Sequence, residues 1–108
     1  MRSVRVICVA SAIPLAAGLA GCGGGGGEAR PTTGKGIYEA YCATCHGVDG
    51  QGGVGAALAG VVVEKYPNIE DQITLVSEGK DEMPAWRGEL TPKEIRKVVE
   101  YTRTGLGQ

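Results

Sequence analysis

One five-residue run of the chain holds three side chains that bind metals or form covalent bonds: Cys42, Cys45 and His46, in the order Cys-Ala-Thr-Cys-His. Two thiols separated by two residues and followed at once by a histidine form the attachment signature of a c-type haem. Each thiol can add across one haem vinyl group to form a thioether, and the adjacent imidazole can bind the iron. The run therefore predicts one covalent haem c, attached through Cys42 and Cys45, with His46 as an axial ligand.

Two other kinds of site use a Cys-x-x-Cys pair. A redox-active dithiol is expected in a strand-helix-strand setting, which this sequence does not show. A structural zinc site usually takes four Cys or His ligands, yet no cysteine follows Cys45 and His46 is the only histidine. A zinc site would therefore need carboxylates or a second chain, and a dithiol oxidoreductase remains an alternative that predicts two free thiols.

A second axial ligand is expected if the iron serves electron transfer, because Met/His ligation raises the reduction potential of cytochromes c. Met83 is the only methionine besides Met1, and it precedes Pro84. The proline restricts Met83 to extended backbone, which suits a stiff segment that points a thioether inward. A lone methionine is more often part of a core, but beside a haem motif Met83 is predicted to be the second iron ligand. An enzyme or gas sensor with an open iron site is the alternative that this methionine argues against.

The N-terminal segment has the layout of an export signal. Two arginines precede an uncharged stretch at residues 6–20, which is short for a membrane span. The stretch ends in Leu-Ala-Gly-Cys at residues 19–22, which resembles the lipobox of bacterial lipoproteins. That resemblance implies that residues 1–21 are a lipoprotein signal peptide and that Cys22 is lipidated; an uncleaved helical anchor is the alternative. Both interpretations predict an extracytoplasmic, membrane-anchored protein on the periplasmic side.

Composition divides the remaining chain into two parts. Residues 22–33 contain five consecutive glycines and are predicted to be a flexible tether after the lipidated cysteine. Residues 34–108 form one domain, small enough that an apolar core alone is often marginal, and the chain has no phenylalanine. A buried haem would supply the missing apolar bulk. After removal of residues 1–21 the chain carries 9 basic and 12 acidic side chains, a formal charge of −3, which argues against a nucleic-acid partner.

Apolar residues spaced three and four apart predict three main helices and no strand, so the predicted fold class is all-α. The first covers residues 34–45, the second begins after Asn68 and ends at Gly79, and the third begins with the capping box Thr91-Pro92-Lys93-Glu94. Six glycines between residues 47 and 60 predict a loop that wraps against a flat macrocycle. The residues expected on the inner helix faces are Ile37, Tyr38 and Tyr41, then Ile69, Ile73 and Val76, and finally Ile95, Val98, Val99 and Thr102.

Four stretches, in this order, resemble a small class I c-type cytochrome with one haem. They are residues 34–47, residues 55–60, the run Met83-Pro84-Ala85-Trp86, and the last helix with Tyr101. The resemblance covers residues 34–104 and implies the small cytochrome c fold, three main helices around one covalently bound haem. It implies that the first and last helices cross, with Gly34 at the crossing. It also implies that the backbone carbonyl of Ala56, at a position often held by proline, accepts a hydrogen bond from the proximal imidazole.

These observations predict an electron carrier rather than an enzyme, transferring single electrons between extracytoplasmic redox partners and binding no small-molecule substrate. The alternative is a fixed cytochrome c subunit of a larger respiratory or photosynthetic membrane complex, which a lipid anchor on Cys22 also suits. Tyr66, Lys80, Trp86 and Arg87 are candidates for contacts with the haem propionates, and their spacing does not choose among them.

Overall fold

The computed structural model describes residues 29–107, and this part of the chain is helical, as the sequence predicts. The helices are α1 (Gly34–Tyr41), α2 (Ala43–His46), α3 (Val62–Lys65), α4 (Ile69–Glu78) and α5 (Pro92–Thr104). No strand occurs among these residues; Lys80 and Met83 form an isolated antiparallel bridge. The predicted signal peptide, Cys22 and the glycine run at residues 23–27 lie outside the described residues.

Helices α1 and α5 pack against each other and make the centre of the core. A Cβ at Gly34 would overlap the Lys97 carbonyl oxygen and lie 2.9 Å from the Tyr101 Cβ, so the two helices approach this closely only because residue 34 is glycine. Beside this contact the rings of Tyr38 and Tyr101 pack with their centroids 5.5 Å apart. The predicted crossing of the first and last helices is thus confirmed. The buried cluster around it consists of Ile37, Tyr38, Leu90, Ile95, Val98, Val99 and Leu106.

Helices α4 and α5 begin where their capping residues predict. The Thr91 hydroxyl accepts from the Glu94 N–H at 3.2 Å, and the Glu94 carboxylate accepts from the Thr91 N–H at 2.7 Å. At α4 the Asn68 side chain accepts from the Glu70 N–H at 3.1 Å. Gly79 ends α4 with φ +75°. Capping satisfies N–H groups that have no partner inside the helix, which is why these short patterns located the ends so well.

The first predicted helix, over residues 34–45, is divided in the structure. Helix α1 ends at Tyr41, Cys42 has φ −115°, and the single turn of α2 carries the chain to His46. Periodicity did not reveal the break, because the Cys42 N–H still donates to the Tyr38 carbonyl at 2.8 Å, as it would in a continuous helix. The break separates a buried face, at Ile37 and Tyr38, from the exposed Cys45.

The end of the predicted tether contacts the helical domain. Lys97 Nζ donates to the Thr32 carbonyl at 2.7 Å, and the Thr33 hydroxyl caps α1. The Arg30 guanidinium forms an ion pair with Glu94 at 3.2 Å and donates to the Glu89 carbonyl. Residues 30–33 therefore lie along the start of α5.

One buried polar group was not predicted. Gln72, 3% exposed, lies on α4 between positions that the sequence assigned to an apolar face. Its Nε2 donates to the Thr102 hydroxyl at 2.8 Å, and its Oε1 accepts from Arg103 at 3.0 Å. Arg103 also donates to the Tyr66 carbonyl at 2.7 Å, which joins α5 to the turn before α4. A glutamine usually lies at the surface; here it is buried because its amide is fully partnered.

Candidate haem site

The two cysteines and the histidine of the motif lie on one turn of helix. The N–H groups of Cys45 and His46 both donate to the Cys42 carbonyl, at 3.2 and 3.0 Å. Residues three and four apart on a helix share a face, so both thiols and the imidazole meet at one surface. All three side chains line the same cavity, of about 610 Å³. We call residues 42–57, which contain this turn and the loop after it, the His46 segment.

The imidazole of His46 is oriented by a backbone carbonyl. Its Nδ1 lies 2.7 Å from the Ala56 oxygen. A carbonyl can only accept, so Nδ1 carries the proton and donates, and Nε2 keeps its lone pair for a metal. Such a bond fixes the ring of a metal-ligating histidine and raises its basicity. The expectation that Ala56 supplies this carbonyl is confirmed.

Local backbone bonds hold the Ala56 carbonyl, although residue 56 is not a proline. The Gly55 N–H donates to the Cys45 carbonyl at 2.7 Å, and the Gly53 N–H donates to the Gly55 carbonyl at 3.0 Å. A Cβ at Gly55 would lie 2.9 Å from His46 Cε1 and 3.0 Å from Nδ1, so a larger residue would displace the ring. Glycine at residue 55 therefore lets the loop lie against the imidazole.

Tyr38 also positions the His46 segment, a role that sequence reasoning missed. Its hydroxyl donates to the Gly47 carbonyl at 2.6 Å, directly after the histidine. Burial raises the pKa of Tyr38 to about 12, so the hydroxyl keeps its proton and donates. The sequence marked Tyr38 only as part of an apolar face; an aromatic residue eight positions before the histidine was the available signal.

Met83 lines the same cavity and comes from a different part of the chain. The Lys80 N–H donates to the Met83 carbonyl at 3.1 Å, and the Met83 N–H donates to the Lys80 carbonyl at 2.9 Å. This two-residue hairpin follows α4 directly, and its first corner, Asp81, has φ +51°. We call residues 79–87 the Met83 segment. Pro84 follows the methionine and restricts its backbone to extended conformations, and Met83 pairs with Lys80 in an antiparallel bridge.

The cavity has the size and chemistry for a flat, mostly apolar macrocycle. Its volume lies within the range of ligand and cofactor sites, roughly 300–1,000 Å³. Two thiols, an imidazole and a thioether lie at its wall, which is the donor set of an attached, six-coordinate haem. Its apolar lining is Val54, Ala57, Leu58, Val61, Val62, Leu75 and Trp86. Of the four candidates for propionate contacts, Tyr66, Lys80 and Trp86 line the cavity and Arg87 does not.

The same geometry speaks against the two other interpretations of the cysteine pair. Burial, followed by the neighbouring Cys45, raises the pKa of the Cys42 thiol to about 11. The attacking cysteine of a redox dithiol needs the opposite shift, to a lower pKa. Although Cys42, Cys45 and His46 line one cavity, no group of three or more His, Cys, Asp or Glu side chains within residues 29–107 is arranged to hold a metal ion by itself.

Comparisons with known proteins agree with this geometry. Residues 29–101 match the family described as cytochrome C oxidase, cbb3-type, subunit III. A cytochrome c6 of Chlorolobion braunii is 33% identical over 79 residues, which cover 68% of this chain and 89% of the relative.

Solved structures include similar folds. The KustC0563 c-type cytochrome is 28% identical with a TM-score of 0.61, covering 69% of this chain and 99% of its own. Cytochrome c6C from Synechococcus sp. PCC 7002 is 31% identical with a TM-score of 0.55, covering 64% and 88%. These matches confirm the predicted cytochrome c fold. The chain belongs to the c-type cytochromes: it is an electron carrier rather than an enzyme, and its cofactor is a single covalent haem c.

Proposed function

We propose that the protein is a membrane-anchored monohaem cytochrome c that transfers single electrons between extracytoplasmic redox partners. In this proposal Cys42 and Cys45 hold the haem, His46 and Met83 ligate its iron, and Cys22 carries the lipid. The observation that carries the site assignment is that Cys42, Cys45, His46 and Met83 all line one cavity.

The bound haem supplies one-electron redox chemistry, and the chain supplies its ligands and surroundings. His46 presents Nε2, because Nδ1 donates to Ala56. Met83 offers a thioether, a soft ligand that raises the reduction potential. If His46 and Met83 both ligate the iron, as proposed, a substrate would find no free position on it. This is the arrangement expected of an electron carrier.

Partner contact is proposed at the mouth of the cavity. Val54 is 87% exposed and Val61 is 44% exposed, and both line the cavity. Charges of both signs border it, from Lys65 and Lys80 to Asp81 and Glu82. An exposed apolar rim without one dominant charge suits brief contact through a small interface, as in weak electron-transfer encounters. The redox partner would then present an apolar surface of its own.

The anchoring part of the proposal rests on the sequence. The lipobox-like residues 19–22 support lipidation of Cys22 after cleavage of residues 1–21. Among residues 29–107 no helix has the length and apolar character to span a bilayer. In the proposal the lipid and the glycine-rich tether keep the domain beside the periplasmic face of a membrane.

Iron ligation is tested with Met83→Ala. The haem should stay covalently attached, the reduced protein should bind carbon monoxide, and the reduction potential should fall because the thioether is gone. Leu75→Ala is the matched control, since Leu75 is half-buried and lines the same cavity without offering a ligand. An unchanged potential and no carbon monoxide binding in the Met83 variant would remove Met83 from this role.

Anchoring is tested with Cys22→Ser in the exporting host. The mature protein should lose the mass of the lipid and move from the membrane to the soluble fraction. Cys8→Ser is the matched control, because Cys8 would leave with the signal peptide and the mature mass should not change. A Cys22 variant that stays on the membrane with an unchanged mass would contradict lipidation.

A second candidate function is a fixed subunit of a larger membrane complex. The match of residues 29–101 to a family described as an oxidase subunit favours it. Purification in mild detergent distinguishes the two: stoichiometric co-purification with large membrane subunits supports the fixed subunit, and isolation as a single haem-bearing chain supports the carrier.

A further inference from the structure

The Met83 segment folds back onto the end of the helix that precedes it. After the Lys80–Met83 hairpin, the Trp86 N–H donates to the Val76 carbonyl at 3.1 Å, and the Arg87 N–H donates to the Ser77 carbonyl at 3.2 Å. These carbonyls belong to the last turn of α4, where no intrahelical donor is available. The backbone on both sides of Met83 is thus bonded, to itself before the methionine and to α4 after it.

This close return requires the absence of a side chain at residue 79. A Cβ at Gly79 would lie 2.5 Å from the Met83 oxygen, 2.8 Å from the Ala85 nitrogen and 2.8 Å from the Pro84 carbonyl carbon. All three are backbone atoms, so no side-chain rotation can relieve the overlap. Gly79 also has φ +75° and ψ 170°, a backbone conformation that is essentially restricted to glycine.

We propose that Gly79 is a positioning residue for the iron ligand Met83. Lacking a side chain, it lets the Met83 segment lie against the end of α4, and this contact holds the thioether at the cavity wall. The inference rests on the proposed ligation by Met83. It adds that the ligand is placed by a steric requirement four residues earlier, and not only by Pro84.

The test uses the haem-loaded full chain with Gly79→Ala and Gly79→Asn. Both substitutions add the Cβ, and neither residue adopts φ +75° with ψ 170° without strain, so together they test the requirement for glycine at residue 79. Gly60→Ala and Gly60→Asn are the matched controls, because Gly60 has φ +73° and no atom within 4 Å of a Cβ placed there. The readouts are the charge-transfer band of thioether-ligated ferric iron, the reduction potential, and carbon monoxide binding by the reduced protein.

Both Gly79 variants should lose most of the thioether band and show a lower reduction potential. The fraction of reduced protein that binds carbon monoxide should be at least ten times that of wild type. Both Gly60 variants should keep the wild-type band and potential. Covalent haem should remain in all four variants, since the cysteines are untouched. If one Gly79 variant does not fold, the other Gly79 variant is compared with the matching Gly60 variant.

Two results would overturn the inference in distinguishable ways. If wild type has the thioether band and Gly79→Asn keeps it as Gly60→Asn does, Gly79 does not position Met83, although the ligation stands. If wild type itself lacks the band and binds carbon monoxide, the ligation by Met83 fails and the inference falls with it.

Discussion

The His46 segment and the Met83 segment both line the cavity, but their backbones are held by different partners. In the His46 segment most hydrogen bonds join residues of the same segment, such as Gly55 to Cys45 and His46 Nδ1 to Ala56. The Met83 segment has one internal hairpin, and its other bonded backbone N–H groups donate to the carbonyls of α4. A segment held by local bonds is specified by its own sequence, whereas one held by another helix depends on where that helix lies.

The two segments also differ in how they join the core. Tyr38 connects the His46 segment directly to the α1–α5 crossing through its bond to Gly47. The Met83 segment reaches the core through the Trp86 ring, which packs on Tyr41 of α1 with the centroids 5.6 Å apart, and through α4, whose Gln72 bonds to Thr102 on α5.

The largest effect is expected from Gly34→Ala, which acts on the crossing that both segments share. The added methyl group overlaps the Lys97 carbonyl, so the helices must separate, at a cost of about 3 kcal/mol in the free energy of unfolding. Urea unfolding followed by haem absorbance and by helical circular dichroism should show one transition, shifted equally in both signals. Gly88→Ala is the control, because a Cβ at Gly88 meets no atom within 4 Å. Two separate transitions would mean that the stability of the two segments does not depend on the same helix crossing.

A smaller effect, confined to the His46 segment, is expected from Gly55→Ala. The methyl group would lie 2.9 Å from His46 Cε1, so the ring must shift and its bond to Ala56 must weaken, costing about 2 kcal/mol. The reduction potential should change while the thioether band of Met83 remains. Gly53→Ala is the matched control, since its Cβ meets only the Cys45 carbonyl, at 3.2 Å. Loss of the thioether band in the Gly55 variant would show that the two segments are not independent.

Tyr38→Phe should cost about 1 kcal/mol, because it removes the hydroxyl donor and leaves the Gly47 carbonyl with the Gly50 N–H alone. The loss should appear as greater amide hydrogen exchange in residues 47–57, with the Met83 segment unchanged. Tyr101→Phe is the control: it removes a hydroxyl from the ring packed on Tyr38 and leaves the bond to Gly47 in place. Equal exchange in both variants would contradict a role for the Tyr38 hydroxyl.

The smallest effect is expected from Glu94→Gln, at the start of α5 and outside both segments. The pKa of Glu94 lies below its ordinary value of 4.5, mainly because the Thr91 N–H donates to the carboxylate. A lowered folded-state pKa stabilises the protein above the ordinary value, and the contribution is lost as the pH falls through the lowered pKa. Urea midpoints measured from neutral to acid pH should therefore fall less steeply in the variant than in wild type. Glu100→Gln, on the same helix, should keep the wild-type slope, and a variant slope equal to wild type would contradict the prediction.

The features that short sequence patterns predicted correctly are those held by hydrogen bonds between residues close together in the chain. The capping residues Asn68 and Thr91 located the starts of α4 and α5, because they satisfy N–H groups only two or three residues away. The break at Cys42 and the burial of Gln72 escaped prediction. The first keeps a helical hydrogen bond across the break, and the second is buried only because Thr102 and Arg103, some thirty positions along the chain, satisfy its amide.

The order Cys-x-x-Cys-His was enough to predict a covalent haem c, because the attachment signature needs only five consecutive residues. Family resemblance predicted which carbonyl bonds the imidazole and that Gly34 lies at the helix crossing, whereas the contacts of Gly79 emerged only from the folded chain. The sequence does not show which glycines are sterically required. A glycine is required where folding brings other backbone atoms into the space that a Cβ would occupy. Tertiary structure alone therefore decided how the Met83 segment packs against the end of α4.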